Sequence, residues 1–315
     1  MNVAIKWLLY TILGLIADTL DIITTFFCPR QRAPLITQPP DIGHLSDQSI
    51  LERSHQAPFV PGPERTVKRL THNTVVKYQR PAYPYSDDSC EENAQNLLLA
   101  KSTIPIPRVH RLIKHETSVL LVMDYIPGQT LARVWPALST WKKICIAWTL
   151  RGYIRQLRHL TAPANTPPGP IARLAPQEAF TPVFGHVRPA RGPFTSYSHL
   201  AQYFNERQKR FADKYNLHLD TPFDDSKPLV FSHQDINLRN VILGTDDRLW
   251  LIDWGCSGYY PEWFEYIAMQ NQAELATLAG TDDPFWKLLI PFIAGPYFYH
   301  HLWYQNMQTS LEWRY

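Results

Sequence analysis

The N-terminal segment is the most apolar stretch of the chain. From Trp7 to Phe27 most residues are hydrophobic, and the polar or small exceptions recur at steps of three and four residues. These exceptions are Thr11, Gly14, Asp18, Asp21 and Thr25. The spacing predicts a helix with one narrow polar stripe, which is typical of a membrane-associated segment or of a helix packed against the protein.

The free energy of membrane insertion does not decide between these alternatives. On an insertion scale the Leu, Ile and Phe side chains contribute about −3 to −7 kcal/mol, and the two Asp side chains cost about +5 to +7 kcal/mol. A signal peptide is disfavoured because no small-x-small cleavage site follows the apolar run. We expect residues 1–28 to form an apolar helix, with membrane association through residues 7–27 left open. Residues 29–63 are rich in Pro, Gln, Ser and His without periodicity, and they predict a linker.

The next part of the chain has the pattern of a small antiparallel sheet. Thr66–Leu70 and Thr74–Tyr78 flank a three-residue segment with turn chemistry, which predicts a hairpin. A helical pattern around Glu91 to Leu99 follows, and two more strands are expected at Val109–Lys114 and Ser118–Met123. We therefore predict a sheet-containing lobe over residues 64–123.

Beyond this lobe the pattern becomes mainly helical. Residues 124–130 contain Asp-Tyr-Ile-Pro-Gly and predict a connector. A helix is expected from about Ser139 to Leu160, with a buried apolar stripe. We expect residues 131–315 to form a helical lobe, so that the fold class is α+β with two lobes.

Length and composition agree with a folded protein of two lobes. At 315 residues, with 45% hydrophobic and 19% charged residues, the chain exceeds the size of most single cores. Its 31 Lys and Arg residues against 28 Asp and Glu residues leave a formal charge of +3, and no block of five basic residues occurs. Nucleic acid is therefore not expected as a partner. The four cysteines are far apart, which disfavours both a disulfide scaffold and a zinc site.

Two polar sites follow two apolar runs in the second half of the chain. Asp235 is followed five residues later by Asn240, and Asp253 comes directly after the apolar run Leu249–Ile252. Phosphoryl transfer needs a carboxylate to orient the attacking hydroxyl and oxygen ligands for the metal that binds the ATP phosphates. The three residues supply these groups in the order that kinases use.

The motifs around these residues resemble a known family. His233-x-Asp235-x-x-x-x-Asn240 and Ile252-Asp253-Trp254-Gly255 are similar to the catalytic loop and the metal-binding motif of aminoglycoside phosphotransferases and choline kinase-like enzymes. The string from Met123 to Leu131 is similar to the hinge of that family. The resemblance covers residues 64 to 304 and implies a protein-kinase-like fold with a small antiparallel-sheet lobe and a helical lobe.

The resemblance also implies a role for each matched residue. Asp235 corresponds to the catalytic carboxylate, and Asn240 and Asp253 correspond to the ligands of Mg²⁺. Lys77 corresponds to the amine that contacts the ATP phosphates. The hinge residues Asp124 and Tyr125 correspond to the adenine site.

Two features of the family pattern are uncertain in this chain. The lysine requires an acidic partner on the following helix, for which Glu91 is the first candidate, with Glu92 as an alternative. Another register places Asn93 there and leaves Lys77 without an acidic partner. In addition, Gln234 stands where many members carry Gly, which predicts a different local backbone.

The acceptor is expected to be a small hydroxylated molecule. Only five residues separate Gly255 from Pro261, and Asn237 stands where protein kinases place a lysine, so a platform for a peptide substrate is missing. Residues 254–315 are more aromatic than acidic, which favours a metabolite over a polycationic antibiotic. The sequence therefore predicts an ATP- and Mg²⁺-dependent cytoplasmic phosphotransferase. The alternative is a non-catalytic pseudokinase that binds nucleotide or acts as a scaffold, and the sequence does not indicate the oligomeric state.

Overall fold

A four-stranded antiparallel sheet forms the centre of the smaller lobe. In the computed structural model, which describes residues 2–27, 41–61, 66–79, 88–115, 118–185, 190–219 and 221–311, its strands lie in the order β1-β2-β4-β3. The strands are β1 (Val67–Arg69), β2 (Thr74–Gln79), β3 (Val109–His115) and β4 (Ser118–Asp124). The predicted hairpin is confirmed, since β1 pairs with β2 across the turn at residues 71–73. The two later strands are confirmed as well.

The described residues of the N-terminal third of the chain contain three helices. They are α1 (Val3–Phe27), α2 (Asp47–Gln56) and α3 (Cys90–Lys101). Helix α3 begins at the N-cap Ser89, whose hydroxyl accepts a hydrogen bond from the backbone N–H of Glu92. This cap places Glu91 in the first turn of α3, where the helix dipole favours a carboxylate.

The two faces of the sheet pack against different partners. Because side chains alternate along a strand, Val76 and Val122 point to one face, and Val75 and Met123 point to the other. The first face is covered by Ile50 of α2 and its neighbours. Val75 and Met123 of the second face line the cavity described below.

Part of the segment predicted as a linker belongs to this lobe. Within residues 29–63, Asp47–Gln56 is helical, and Phe59 pairs with Lys68 of β1. The sequence did not indicate this helix because only Ile50 and Leu51 supply its apolar contact within a polar segment. Residues 29–40 of the predicted linker lie outside the described residues.

The larger lobe is mainly helical. Its strands are β5 (Gly128–Thr130), β6 (Gly169–Pro170), β7 (Ala179–Phe180), β8 (Ala190–Arg191), β9 (Val230–Ser232), β10 (Val241–Gly244), β11 (Leu249–Leu251) and β12 (Gly258–Tyr260). Its helices are α4 (Leu131–Val134), α5 (Thr140–His159), α6 (Tyr197–Tyr215), α7 (Phe264–Leu278), α8 (Pro284–Ala294), α9 (Phe298–Gln305) and α10 (Gln308–Leu311). The long helix predicted from about Ser139 is confirmed as α5, with Ser139 as its N-cap.

The helical lobe contains the main hydrophobic core. Large buried side chains from five of its segments meet there, namely Trp135, Phe204, Phe231, Phe264 and Tyr304. Two short sheets lie on this core, with strand orders β11-β10-β5 and β6-β12-β9. These two sheets position two parts of the chain at the edge that faces the smaller lobe. One part is the segment between β9 and β10, and the other is the segment that follows β11.

The fold is therefore α+β and bilobal, with a small antiparallel-sheet lobe and a helical lobe, as predicted. Helix α1 precedes both lobes and packs on the helical one, where the hydroxyl of Tyr10 donates to the carbonyl of Leu288 in α8 at 2.9 Å. Over Val3–Asp21 its mean hydropathy is 1.6, so among the described helices α1 is long and apolar enough to cross a membrane.

Candidate active site

Lys77 and Glu91 form an ion pair between the sheet and α3. The amine of Lys77 lies 3.0 and 2.8 Å from the two carboxylate oxygens of Glu91. The sequence left open whether Glu91, Glu92 or neither pairs with Lys77, and Glu91 is the residue that makes the contact. Asn93 instead donates to Asp88 Oδ1 at 2.5 Å and to the carbonyl of Ile171 at 3.0 Å.

Lys77 also reaches the other lobe. Its amine lies 2.7 Å from Oδ1 of Asp253, which follows β11. Burial by itself would lower the pKa of Lys77, but the carboxylates of Glu91 and Asp253 outweigh it and raise that pKa above its ordinary value. The amine is therefore charged, and it connects the sheet, α3 and the end of β11.

Asp235 lies between β9 and β10 and is surrounded by amide donors. Asn240 donates to its Oδ2 at 2.7 Å, and Asn237 donates to its Oδ1 at 3.0 Å. Burial and then the negative charge of Asp253 raise the pKa of Asp235 to about 7. A carboxyl with a pKa near neutrality is suited to accept a proton from a hydroxyl group.

A third donor to Asp235 comes from a distant helix. Gln272 of α7 donates from Nε2 to Oδ1 of Asp235 at 2.6 Å. The sequence analysis missed Gln272, because a polar helical residue 32 positions after Asn240 carries no motif. Its contact fixes the direction of the Asp235 carboxylate from the side of α7.

His233 supports the same loop without a part in proton transfer. Its Nδ1 accepts from the backbone N–H of Asp235 at 3.2 Å, so its Nε2 carries the proton that is donated to the carbonyl of Ile252 at 3.0 Å. Burial lowers the pKa of His233 to about 4, which keeps the ring neutral. The ring thus joins the Asp235 loop to the strand that leads to Asp253.

The buried carboxylate of Glu265 binds the backbone of the loop between β9 and β10. Oε2 of Glu265 accepts the backbone N–H groups of His233 and Gln234 at 2.7 and 3.1 Å. Burial raises the pKa of Glu265 to about 7. The side chain of Glu265 is 2% exposed, so its carboxylate faces the protein interior.

The backbone of Gln234 has a φ of 67°, in the left-handed region that favours glycine. The side chain makes two hydrogen bonds, since Nε2 donates to Ser232 Oγ at 2.8 Å and Oε1 accepts from Thr181 Oγ1 at 2.9 Å. Gln234 therefore stands in a conformation that glycine adopts without strain.

Asn240 and Asp253 are neighbours at the end of the small sheet. The backbone N–H of Ile252 donates to the carbonyl of Asn240 at 3.0 Å, which places Asp253 beside it. The Asn240 amide nitrogen is used by Asp235, so its amide oxygen and Oδ2 of Asp253 are the hard oxygen donors that fit Mg²⁺. Among the described residues no cluster of three His, Cys, Asp or Glu side chains could enclose a metal, so a metal here would also need oxygens from a bound phosphate.

A cavity of about 400 Å³ lies between the lobes and ends at these groups. Its apolar part is lined by Val67, Val75, Met123, Ile242 and Ile252. Its polar end contains Lys77, Glu91, Asn240 and Asp253. The size is ordinary for a small-ligand site, and the division suits a flat apolar base with a charged tail.

The hinge residues line the cavity in different ways. The Asp124 carboxylate is turned to β3, where Oδ1 lies 2.6 Å from Nε2 of His110 and Oδ2 accepts the backbone N–H of Arg108 at 2.9 Å. The ring of Tyr125 is covered by the guanidinium of Arg69 at 3.1 Å from the ring centroid. Contact of Asp124 with a ligand in the cavity would therefore come from its backbone.

One family model matches most of the chain. It is the model of the phosphotransferase enzyme family (APH), and it matches residues 58–287. No curated protein matches the chain.

Several solved structures are similar at low identity. An aminoglycoside-3′-phosphotransferase of type VIII is 14% identical, with 81% of this chain and 93% of that chain covered and a TM-score of 0.46. An aminoglycoside phosphotransferase from Streptomyces rimosus, in complex with ADP and streptomycin, is 18% identical, with 77% and 88% covered and a TM-score of 0.43. A spectinomycin phosphotransferase, in complex with ADP and spectinomycin, is 13% identical, with 76% and 74% covered and a TM-score of 0.41.

Proposed function

Because the chain belongs to the phosphotransferase enzyme family, we propose that it transfers the γ-phosphate of ATP to a hydroxyl group of a small molecule. The observation that carries the proposal is the convergence of Asn240 and Asp253 with the Lys77–Glu91 pair at one end of the cavity, where Asn240 also donates to the Asp235 carboxylate. Each of these groups has a separate task in phosphoryl transfer.

ATP is bound with its base in the apolar part of the cavity, against the backbone of Asp124 and Tyr125. Its phosphates extend to the polar end, where the amine of Lys77 contacts them and Glu91 keeps that amine in place. Asn240 and Asp253 would hold Mg²⁺, which would neutralise charge on the phosphate oxygens.

Asp235 orients the acceptor and takes its proton. The hydroxyl oxygen of the acceptor forms the new bond to the γ-phosphorus, the bond from that phosphorus to the β–γ bridging oxygen breaks, and ADP leaves. The hydroxyl proton passes to the Asp235 carboxylate. Asn237 and Gln272 hold the carboxylate in position through its Oδ1.

The acceptor is proposed to be a neutral or weakly charged metabolite. The acidic side chains that could meet a polycation are already paired, since Glu262 lies 3.7 Å from Arg158 and 3.2 Å from Lys227, and Asp282 lies 2.9 Å from Lys287. We place the reaction in the cytoplasm, where ATP is available. A non-catalytic scaffold is the alternative, and the contact between Lys77 and Glu91 supports the catalytic proposal over it.

The test is ADP formation with a panel of hydroxylated small molecules that includes amino alcohols, sugars and aminoglycosides. We expect turnover with at least one acceptor, and we expect Asp235→Asn to abolish it while ATP still raises the melting temperature. Asp213→Asn, which changes an exposed carboxylate on α6, is the matched control and should keep full activity. Equal turnover in Asp235→Asn would overturn the assignment of Asp235.

A further inference from the structure

Helix α1 turns its polar stripe toward the protein. Asp18 accepts two hydrogen bonds from Arg151 of α5, at 2.9 Å each, and Oδ1 of Asp21 accepts from the indole N–H of Trp148 at 2.9 Å. Arg155 lies 3.3 Å from both carboxylates. The two Asp side chains, which offset the apolar gain of membrane insertion, thus have their hydrogen-bonding partners inside the protein.

The opposite side of α1 is apolar and uncovered. Eight side chains on it are between 42% and 62% exposed, namely Ile5, Leu8, Leu9, Ile12, Leu13, Leu15, Ile16 and Leu20. At 3.6 residues per turn they cover an arc of about 160°. Thr19 lies within this arc, and its hydroxyl is satisfied because it donates to the carbonyl of Leu15 at 2.8 Å. We call this arc the outer face of α1.

A lipid bilayer fits the outer face better than a second protein helix does. A helix pair buries a narrow stripe of about two residues in seven, whereas the outer face is about twice as wide. A second copy of the chain would leave the flanks of the face in water. Leu288 of α8, beside Tyr10, is 56% exposed and widens the apolar surface further. Monomeric soluble proteins rarely expose so continuous an apolar patch.

The charged groups under α1 are paired with one another. Arg151, Arg155 and Arg158 contact Asp18, Asp21 and Glu262, so that three basic and three acidic side chains balance. The width and apolar character of the outer face, which complements acyl chains, therefore favour a lipid bilayer.

We propose that α1 holds the protein on a lipid bilayer by lying in the plane of its surface, with the outer face in the lipid and the polar stripe on the helical lobe. A helix that crosses the bilayer would have to leave its contacts from Tyr10 to Asp21. It would then expose two Asp side chains to hydrocarbon, at about 2.5 to 3.5 kcal/mol each. The docked arrangement avoids this cost.

Flotation of the full chain with vesicles of phosphatidylcholine and phosphatidylserine tests the proposal. The wild-type protein should float with the vesicles, and the double variant Ile12→Glu, Ile16→Glu should bind at least about tenfold more weakly. Leu174→Glu, at a residue that is 77% exposed away from α1, is the matched control and should float like the wild type. Circular dichroism of each variant verifies that the fold is retained. Since the measurement needs no turnover, its result is independent of the proposed function.

Three results would overturn the proposal. The first is a wild-type protein that stays at the bottom of the gradient. The second is a wild-type dimer that the double variant converts into a monomer, which would assign the outer face to a second copy of the chain. The third concerns the orientation: a tag before residue 2 should be digested by protease added outside intact vesicles, and a protected tag would show that α1 crosses the bilayer.

Discussion

Gln234 has a backbone conformation that glycine adopts without strain. A left-handed conformation costs an ordinary residue about 1 to 2 kcal/mol, and the hydrogen bonds of the Gln234 side chain to Thr181 and Ser232 offset this cost. We expect Gln234→Ala to lose these hydrogen bonds while its backbone keeps the strain. We expect Gln234→Gly to lose the hydrogen bonds and the strain together. Urea unfolding should therefore show the Gly variant to be more stable than the Ala variant by about 1 kcal/mol. Equal stability of the two variants would mean that the loop relaxes around Ala.

Glu265 predicts a pH dependence of stability. Burial raises its pKa in the folded protein to about 7, so between the ordinary pKa of 4.5 and that value the folded state binds more protons than the unfolded state. The contribution of Glu265 to stability is therefore full below about pH 4.5 and falls as pH rises toward 7, by roughly 3 kcal/mol at most.

The variant Glu265→Gln isolates this contribution because it carries no charge at any pH. Relative to the wild type, its free energy of unfolding should increase between about pH 5 and about pH 8. Glu206→Gln on the exposed side of α6 is the control, and its difference from the wild type should stay constant. If the difference in free energy of unfolding between Glu265→Gln and the wild type also stayed constant with pH, the Glu265 carboxyl would be more hydrated than the structure indicates.

The candidate site residues differ in how strongly their local sequence indicates them. Asp235, Asn240 and Asp253 occur in the order of groups that phosphoryl transfer needs, Lys77 was indicated by the family resemblance, and the structure brings the four side chains together. Gln272 contacts Asp235 through tertiary packing alone, so no local pattern could indicate it.

At the scale of elements, α2 is a helix that the sequence pattern did not predict. Its residues Ile50 and Leu51 are 0% and 7% exposed and cover one face of the sheet. Strong periodicity made the sheet and α5 predictable, whereas a helix with two or three apolar positions resembles a polar linker. We therefore propose that the smaller lobe extends from residue 41 to residue 123, followed by the hinge at 124–130 and the helical lobe from 131.

The contact of α2 with the sheet should be worth several kcal/mol. We expect Ile50→Ala to lower the free energy of unfolding of the smaller lobe by about 2 to 5 kcal/mol, because it leaves a cavity against Val76 and Val122. Hydrogen exchange of the β2 and β4 amides measures this, and Gln48→Ala on the exposed side of α2 is the control. Unchanged exchange in Ile50→Ala would show that the sheet is stable without α2.

At the scale of the whole molecule, the relation between distant parts could not be read from local patterns. The polar stripe of α1 was visible in sequence, but its partners Arg151 and Trp148 lie more than 120 residues away. The sequence analysis considered packing on the protein and membrane association as alternatives for α1. The structure is compatible with both, since one side of α1 packs on the protein and the outer face is exposed. Family motifs predicted the two lobes, and three-dimensional packing determined how α1 joins them.

The ion pair between Lys77 and Asp253 has a consequence for the order in which ligands bind. The amine of Lys77 lies 2.7 Å from Oδ1 of Asp253, so a cation that binds this carboxylate must compete with the amine. A triphosphate offers the amine another anion and releases Asp253. We therefore expect positive heterotropic cooperativity between nucleotide and metal, beyond their association in free solution.

A substitution at Lys77 should reveal the competition between its amine and Mg²⁺ for Asp253. Lys77→Met leaves Glu91 and Asp253 as neighbouring carboxylates without a cation, and it should raise the affinity for Mg²⁺ in the absence of nucleotide by roughly tenfold or more. Lys77→Arg keeps the charge and should bind bare Mg²⁺ as weakly as the wild type, and calorimetric titration compares the three. If Lys77→Met gained no affinity, the amine would not be the competitor. Under the proposed function, Lys77 would thus have a second effect, since its amine would disfavour Mg²⁺ binding at Asp253 before the nucleotide binds.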